Sequence, residues 1–327
     1  MPTKSTADMS SAGRPSAPGG VIHDLGYQRY DGPRLGRSGI VAALAWHSFR
    51  SAYGFSRGAK AKILPVIAMI ALCLPAVVNA FAMSRGNPRV VDYDTYSPVL
   101  RDLVLTVFVA VQAPELVSRD LRNRVLPLYF SRPIKPGDYP LAKYLGFTAA
   151  ILVLFEVPLL LLYGGSVANV HGGSAVWAQT RALIPGMLLG LMWAVSLAAI
   201  GLFLASLSAR RGLATGTVAI VLLLTYTLAE ILLQIETQSA INSGVVRPAG
   251  PPGVFVGPPV DLAEKVAGLF SPFTLFEGVR RWLGGTSTAD NVPAPGAFGV
   301  VYALVLIAIV ALSLYGLAAR YRRARLS

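Results

Sequence analysis

The side chains best suited to charge-based recognition lie in residues 113–144, between two strongly apolar stretches. Acidic groups at Glu115, Asp120 and Asp138 are interleaved there with six basic ones, which are Arg119, Arg122, Arg124, Arg132, Lys135 and Lys143. Lysines and arginines gathered between two membrane spans mark a loop on the cytoplasmic side. Fixed charges in such a loop are suited to contacting a soluble protein beneath the membrane.

Prolines limit the structure of this loop. Pro114 and Glu115 predict the start of a short helix, with the acidic side chain facing the positive end of the helix dipole. A long regular helix after it is excluded by four further prolines, at Pro127, Pro133, Pro136 and Pro140. Two interpretations stay open, a rigid helix that a partner can push and a solvated turn that only follows the positive-inside bias.

Two further carboxylates lie inside apolar stretches, where an acidic group is energetically unfavourable and usually faces a cavity or the protein interior. Glu156 is about halfway along one stretch, close to Pro158. Glu230 lies toward the outer end of another, one turn before Gln234. Both are candidates for a substrate path. The alternative for Glu156 is a protonated or hydrogen-bonded acid that only stabilises a helix contact.

The sequence lacks the motifs of several catalytic classes. No Gly-x4-Gly-Lys-Ser/Thr occurs, so this chain has no P-loop for ATP, and Gly-x-Ser-x-Gly and His-Glu-x-x-His are missing too. The single cysteine, Cys73, and three scattered histidines give no zinc spacing. We therefore expect no enzyme activity, no cofactor and no metal ion on this chain.

The composition indicates a membrane protein. Of 327 residues, 54% are hydrophobic and only 14% are charged, against about 25% charged in soluble domains. Six stretches approach the ~20 residues that a bilayer requires, at 63–83, 99–117, 145–168, 182–207, 213–235 and 298–319. The second is the weakest, because Arg101 and Asp102 interrupt it. We predict an all-α polytopic membrane protein with six transmembrane helices in residues 63–320.

Basic residues predict the orientation. Most of the 29 lysines and arginines precede residue 63, follow the second stretch or end the chain. By the positive-inside rule this distribution predicts that both termini lie in the cytoplasm. The predicted location of the protein is the plasma membrane. The net charge of +13 is distributed over the ends of apolar stretches rather than gathered in one patch. This pattern argues against nucleic-acid binding and favours contact with the lipid bilayer.

Segments outside the spans differ in composition. Residues 1–20 are rich in Ser, Ala, Pro and Gly and are predicted to be disordered. Residues 21–62 form a cytoplasmic segment in which 39–55 carry apolar side chains on one helical face, predicting an amphipathic interfacial helix. Residues 321–327 are a basic cytoplasmic tail.

The last outer loop, residues 236–297, is long. It holds a Pro/Gly linker at 247–259 and two predicted short amphipathic helices at 261–270 and 272–283. Their aromatic side chains, Phe270, Phe273, Phe276 and Trp282, are predicted to be available to lipid.

Small residues recur every fourth position in the fourth stretch, at Gly186, Gly190, Ala194 and Ala198. This spacing permits close approach of another helix. Packing within the subunit is favoured over a subunit interface.

The charged loop resembles the first cytoplasmic loop of ABC-2 type permeases, the membrane subunits of ATP-binding-cassette exporters. The shared pattern is an acidic residue at the end of a span, a Leu-rich run into Ser-Arg-Pro-Ile, and a Tyr and a Lys that open the next span. The matching residues here are Glu115, Leu126, Ser131, Arg132, Pro133, Ile134, Tyr139 and Lys143. The Gly-Thr-like pair usual in the family is replaced by Asn123 and Arg124. By topology the resemblance runs from residue 39 to the C-terminus, and residues 21–37 are similar to segments that precede the first helix in actinobacterial permeases of this type.

The resemblance implies a loop, residues 115–143, whose coupling helix rests on an ATPase through Glu115, Arg119, Asp120, Arg122 and Arg124. It also implies two permease subunits, identical or similar, and two separate ABC ATPases that bind ATP and Mg. Export by alternating access would follow, with no substrate class indicated. Two other functions stay open, an ion- or proton-coupled secondary transporter using Glu156 and a membrane anchor that recruits a cytosolic partner.

Overall fold

The structure, a computed structural model, describes residues 32, 36–55, 57–89, 91–93, 96, 98–122, 135, 137–242, 247–248, 255–256, 262–283 and 298–324. These residues form nine α-helices, which are α1 (Arg37–Ala52), α2 (Lys60–Ser84), α3 (Pro98–Arg122), α4 (Asp138–Ala168), α5 (Gly173–Ser206), α6 (Arg211–Asn242), α7 (Leu262–Ala267), α8 (Pro272–Trp282) and α9 (Gly299–Ala324). Two strands of two residues, β1 (Arg247–Pro248) and β2 (Phe255–Val256), pair antiparallel within the predicted Pro/Gly linker.

Five helices in the described part of the chain are long and apolar enough to cross a membrane, namely α2, α4, α5, α6 and α9. They coincide with five of the six predicted stretches. A helix satisfies its backbone hydrogen bonds internally, which is the condition for crossing lipid. The chain therefore has the character of a helical multi-pass membrane protein.

The remaining predicted stretch lies in α3, which is a continuous helix but is not among the five apolar ones. It packs against α1, α2, α4, α5 and α6. Leu105, Phe108 and Val109 are fully buried, and the polar side chains of Thr106 and Gln112 are nearly so. Because other helices rather than lipid cover these side chains, α3 can carry polar groups that an isolated span would not tolerate.

The prediction that a separate short helix begins at Pro114 is wrong, because Pro114 lies inside α3. A proline removes one backbone hydrogen bond of a helix, but Ala113, Leu116 and Val117 are buried around it and hold the helix in place. Glu115 consequently lies near the negative end of the helix dipole. Cationic side chains, rather than the helix dipole, therefore stabilise the Glu115 carboxylate.

A tyrosine hydroxyl is inserted into the backbone ladder of α2 at Pro75. Tyr96 donates a hydrogen bond to the carbonyl of Leu72 and accepts one from the N–H of Ala76 at 3.1 Å. In a regular helix these two backbone groups would bond directly, so the Tyr96 hydroxyl replaces one backbone hydrogen bond of α2 beside the proline. This contact anchors the segment that precedes α3 to the middle of α2.

Helix α1 overlaps most of the predicted amphipathic helix at 39–55 and packs mainly on α4. The fit is close because Gly146 of α4 has no side chain, and a Cβ there would lie 2.3 Å from the carbonyl oxygen of Ala45. Tyr53, just after α1, donates to the carbonyl of Ala150 at 2.8 Å. Trp46, the next residue after Ala45, is 60% exposed. The apolar face predicted from the sequence is therefore a packing face.

The two short helices predicted in the outer loop are present as α7 and α8. Phe273 and Phe276 are buried, with ring centroids 5.4 and 4.3 Å from that of Trp193 in α5. The prediction that these two rings contact lipid is therefore wrong. Phe270 and Trp282 do remain exposed.

The small residues of α5 serve packing within the chain, as favoured from the sequence. A Cβ on Gly186 would lie 2.8 Å from the carbonyl oxygen of Tyr93, and one on Gly190 would lie 2.6 Å from the Phe155 ring. Ala194 and Ala198 are fully buried. These four small residues of α5 thus allow backbone and side chains of the same subunit to pack closely against the helix.

Candidate functional site

The described charged residues of the predicted loop lie at one end of the helices, where α2, α4 and α6 begin and α3, α5 and α9 end, here called the basal end. Glu115, Asp120 and the exposed Arg122 occupy the last two turns of α3. Arg119 belongs to the same turns. The side chain of Arg119 lies outside the described residues. So do the whole of Arg124 and the motif positions Leu126, Ser131, Arg132, Pro133 and Ile134.

Glu115 forms two ion pairs at the basal end. Its Oε1 is 3.0 Å from Nη1 of Arg57, and its Oε2 is 2.9 Å from Nη1 of Arg211, the first residue of α6. The side chains of Glu115 and Arg57 are 8% and 14% exposed, whereas that of Arg211 is 55% exposed. Arg57 also donates to the side-chain oxygen of Gln112 at 3.0 Å and to the carbonyl of Ser51 at 2.8 Å. Glu115 thus ties α3 to the α1–α2 turn and to α6.

Asp120 connects α3 to α4. Its Oδ2 accepts from Nζ of Lys143 at 2.8 Å and from the hydroxyl of Tyr139. Lys143 is buried, and its Nζ lies 5.4 Å from the centroid of the Tyr139 ring. Tyr321 of α9 packs on the same ring with centroids 5.2 Å apart. A buried ammonium group requires an anionic partner, so Asp120 holds Lys143 in place.

Asp138, the first residue of α4, binds Arg37, the first residue of α1. Nε and Nη2 of Arg37 lie 2.7 and 2.6 Å from the two carboxylate oxygens, which is a bidentate pair. The backbone N–H of Lys135 donates to the same carboxylate at 2.8 Å. An acidic residue in the first turn also interacts favourably with the helix dipole. The start of α1 is thereby fixed to the start of α4.

The C-terminal end of α5 is bound from two sides. Ser118 of α3 donates to the carbonyl of Ala205 at 3.0 Å. Arg320 of α9 donates to the carbonyls of Ser206 and Leu207 at 2.8 and 3.2 Å. The last carbonyls of a helix lack partners within it, so these donors satisfy them.

Two of the five predicted contact residues, Glu115 and Asp120, are therefore engaged in ion pairs inside the chain. Tyr139 and Lys143, which belong to the family pattern, meet at Asp120. Among the described residues, several cationic side chains stay exposed at the basal end and are here called the basal cations, namely Arg37, Lys60, Lys62, Arg122, Lys135, Arg210, Arg211, Arg320 and Arg322.

The sequence did not reveal Arg37, Arg57 and Arg211 as partners of the loop. Each lies far from the loop along the chain and meets it only in the folded bundle. The available signal was their position beside the ends of apolar stretches. A basic residue in that position is as readily interpreted as a solvent-exposed residue flanking a span as it is interpreted as a partner in an ion pair.

The two predicted membrane carboxylates lie on different helices, Glu156 on α4 and Glu230 on α6, and both are half-buried. Glu156 sits on Gly190 of α5, where a Cβ would lie 2.6 Å from its Oε1. Its Oε2 is buried and has no hydrogen-bond partner among the described residues.

The charges that interrupt the second stretch are covered by protein. Arg101 is 7% exposed, its guanidinium carbon lies 4.4 Å from the centroid of the Trp193 ring, and its Nε is 2.8 Å from Asp102. A cation on the face of an indole ring is a favourable contact. The ion pair between Arg101 and Asp102 and the contact with the Trp193 ring together explain how these charges are stabilised within α3.

One carboxylate of α8 serves two arginines. Glu277 accepts from Arg280 and, at 3.0 Å, from Arg281, and all three side chains are less than 15% exposed. Burial alone would raise the pKa of Glu277, but the hydrogen bonds and charges of the two guanidinium groups outweigh it. The pKa of Glu277 is therefore held below its ordinary value.

A scan against protein-family models finds no match for this chain, and a search of curated proteins finds no significantly similar sequence. The functional proposal therefore depends on the sequence pattern and on the geometry of the basal end. That geometry provides a set of helices joined at one end by ion pairs, of which Arg57–Glu115 and Lys143–Asp120 are the least exposed.

Proposed function

We propose that the chain is the permease subunit of an ATP-driven exporter of the ABC-2 type, with α3 as a sixth transmembrane helix and both termini in the cytoplasm. One observation carries the proposal. Helix α3 runs without a break to Arg122, and its last two turns hold α4, α6 and the α1–α2 turn through Asp120 and Glu115. A force applied to this end of α3 reaches three other parts of the chain through ion pairs rather than through a loose loop.

The length of α3 supports its role as a span. Its 25 residues extend about 37 Å at the rise of an α-helix, which exceeds the ~30 Å of a hydrocarbon core. Its charges lie toward the two ends, with Arg101 and Asp102 at one and Glu115 and Asp120 at the other. The middle, from Leu103 to Val111, carries only Thr106 as a polar side chain.

In this proposal the basal end faces the cytoplasm. The basal cations then lie beside an anionic leaflet, where lysines and arginines are favoured. Helix α1 lies at the membrane surface, with the exposed Trp46 at headgroup level. Arg122 and the residues that follow α3 contact the ATPase.

The partners follow from the resemblance to ABC-2 type permeases. Two ATPase subunits supply ATP and Mg, and a second permease, identical or similar, completes the transport path. Closure of the ATPases moves the end of α3, and Asp120 and Glu115 transmit that movement to α4 and α6. The sequence and the geometry name no substrate.

The experiment is co-expression with a P-loop ATPase encoded beside this chain, followed by co-purification and an ATPase assay. We expect a complex that hydrolyses ATP, and we expect Arg122→Glu to weaken the association. Arg85→Glu is the matched control, since Arg85 is also exposed but lies just after α2, at the end of that helix away from the basal end. An Arg122→Glu chain that binds the ATPase as wild type does, or a purified chain that hydrolyses ATP alone, would contradict the proposal.

The buried Oε2 of Glu156, which has no hydrogen-bond partner among the described residues, favours a second candidate, a proton-coupled transporter. That protein would move cargo along a pH gradient without any ATPase, and Glu156→Gln would abolish the transport. A membrane anchor, the third possibility, would bind the ATPase or another partner but move no cargo.

A further inference from the structure

Glu156 is a half-buried acid that the basal ion pairs do not use, and one of its oxygens, Oε2, is buried. It lies in the middle of α4, about 20 Å along the helix from Lys143 at the rise of 1.5 Å per residue. The side chain points to α5, where Gly190 leaves room for it. With any larger residue at position 190, the carboxyl and the Phe155 ring would both have to move, because a Cβ would lie 2.6 Å from each.

One oxygen of this carboxyl is enclosed. Oε1 lies over Gly190, and Oε2 is withdrawn from solvent with no hydrogen-bond partner in the described chain. An ionised carboxylate without a partner in such a place is strongly destabilised, and the group takes up a proton instead. The closed arrangement of α4 on α5 therefore fits the neutral acid.

Apolar side chains with large exposed fractions flank the carboxyl on both helices. Val157 and Leu160 of α4 are 39% and 48% exposed, and Leu191 of α5 is 44% exposed. In a membrane these side chains contact lipid tails. The junction of α4 and α5 at Glu156 is thus bordered by lipid rather than by water.

Charged groups on the helices around α4 are engaged elsewhere or lie near helix ends. Arg101 of α3 is connected to this region only through rings, since it stacks on Trp193, whose centroid is 6.3 Å from that of Phe155. On α4 itself, the hydroxyl of Tyr163 bonds Thr180. The other titratable groups of α4 and of the helices packed on it are Arg37, His47, Arg50, Lys60, Lys62, Cys73, Asp102, Glu115, Arg119, Asp120, Arg122, Asp138, Tyr139, Lys143, Tyr144, Arg181, Tyr302, Tyr315, Arg320, Tyr321, Arg322 and Arg323.

We propose that Glu156 is a proton-binding site whose neutral form holds α4 against α5 and whose ionised form requires that contact to open. The bound proton neutralises the carboxyl. Its release leaves a negative charge that water or a cation must reach, and neither reaches Oε2 while the two helices are closed. Occupancy by the proton and separation of the helices are therefore linked. This inference does not depend on coupling to an ATPase, because it concerns the isolated chain.

The first test is modification of the purified chain in lipid nanodiscs by dicyclohexylcarbodiimide, an apolar reagent. The O–H of a neutral acid adds across one C=N bond, and acyl transfer to nitrogen gives an N-acylurea that retains every atom of the reagent. We expect mass spectrometry to find this adduct at Glu156 in wild type and to find none in Glu156→Gln. A water-soluble carbodiimide should modify Asp92, which is 57% exposed, but not Glu156. Absence of the apolar adduct, or equal labelling of both sites by the water-soluble reagent, would overturn the proposal.

The second test measures the linkage with spin labels placed at Leu160 of α4 and Leu188 of α5, which are 48% and 62% exposed. We expect the distance between the labels to increase when the pH is raised in the wild-type background. In the Glu156→Gln background, where the side chain stays neutral, we expect it to stay short at every pH. An unchanged distance in wild type, or the same increase in both backgrounds, would overturn the linkage.

Discussion

The carboxylate of Glu115 and the guanidinium of Arg57 meet at 3.0 Å with both side chains largely withdrawn from water. This contact fixes the turn between α1 and α2 on the last turns of α3. A buried ion pair adds little net stability compared with an apolar pair of similar shape, but the loss of one partner strands the other charge. The two arginines bound to Glu115 therefore differ in importance, because only Arg57 is itself buried.

Replacing Arg57 should destabilise the protein much more than replacing Arg211. We expect Arg57→Gln to lower the free energy of unfolding by about 3 kcal/mol, since it breaks a buried pair. Arg211→Gln breaks an exposed contact and should lower it by about 0–1 kcal/mol. Reversible denaturation in detergent, followed by circular dichroism, measures both. Equal losses for the two variants would show that burial of Arg57 does not decide the strength of the contact.

Tyr96→Phe should weaken the attachment of the segment before α3 to α2. The variant keeps the ring but leaves the carbonyl of Leu72 and the N–H of Ala76 without the bridging hydroxyl. A buried backbone group left unpaired costs about 1–3 kcal/mol. Thermal unfolding of Tyr96→Phe and of Tyr315→Phe measures this, since Tyr315 is 67% exposed and should tolerate the change. A Tyr96→Phe protein as stable as the control would contradict the role of the hydroxyl.

The apolar helices were predictable because lipid-facing segments must be apolar along their whole length. Helix α3 was the weakest prediction for the same reason, since Arg101 and Asp102 lower its mean hydropathy. In the structure protein covers those charges, and Trp193 lies over the Arg101 guanidinium. Hydropathy measures compatibility with lipid, so it gives a low value to a helix that other helices surround.

The candidate site was predictable in location but not in its internal contacts. The positive-inside bias predicts charged residues at the end of α3, and this prediction is the same whether those residues bind a partner or form ion pairs within the chain. Whether Glu115 faces a partner or Arg57 depends on residues that meet only after folding. The proline at 114 misled the prediction, because proline is favoured at helix starts and tertiary packing allows it inside α3.

Gly146→Ala should separate α1 from α4. The added methyl group would meet the backbone carbonyl of Ala45 at 2.3 Å, and a backbone atom cannot rotate away as a side chain can. Gly164→Ala is the control in the same helix, because nothing lies within 4 Å of its Cβ position and alanine favours a helix over glycine by about 1 kcal/mol. We expect a lower unfolding temperature and faster proteolysis before residue 60 for Gly146→Ala only. Equal behaviour of the two variants would contradict the close packing of α1.

Glu277 should make the stability of the protein depend on pH in the acid range. Burial would raise the pKa of Glu277, but Arg280 and Arg281 hold it below its ordinary value. A carboxyl whose folded-state pKa is depressed contributes stability above its unfolded pKa, about 4.3 for Glu, and loses that contribution as the pH falls through the folded value. The two guanidinium groups then remain buried beside a neutral acid.

Glu277→Gln removes the charge at every pH and so tests this directly. Near pH 7 the variant should be less stable than wild type, because both arginines lose their anionic partner. As the pH falls below the ordinary range of glutamate, the wild type loses the same contribution, and the two unfolding temperatures should converge. Asp92→Asn is a suitable control, since Asp92 also pairs with an arginine but is 57% exposed and should matter little at any pH. A gap between wild type and Glu277→Gln that stays constant from neutral to acid pH would show that ionisation of Glu277 does not stabilise α8, and its side chain would then act only through packing.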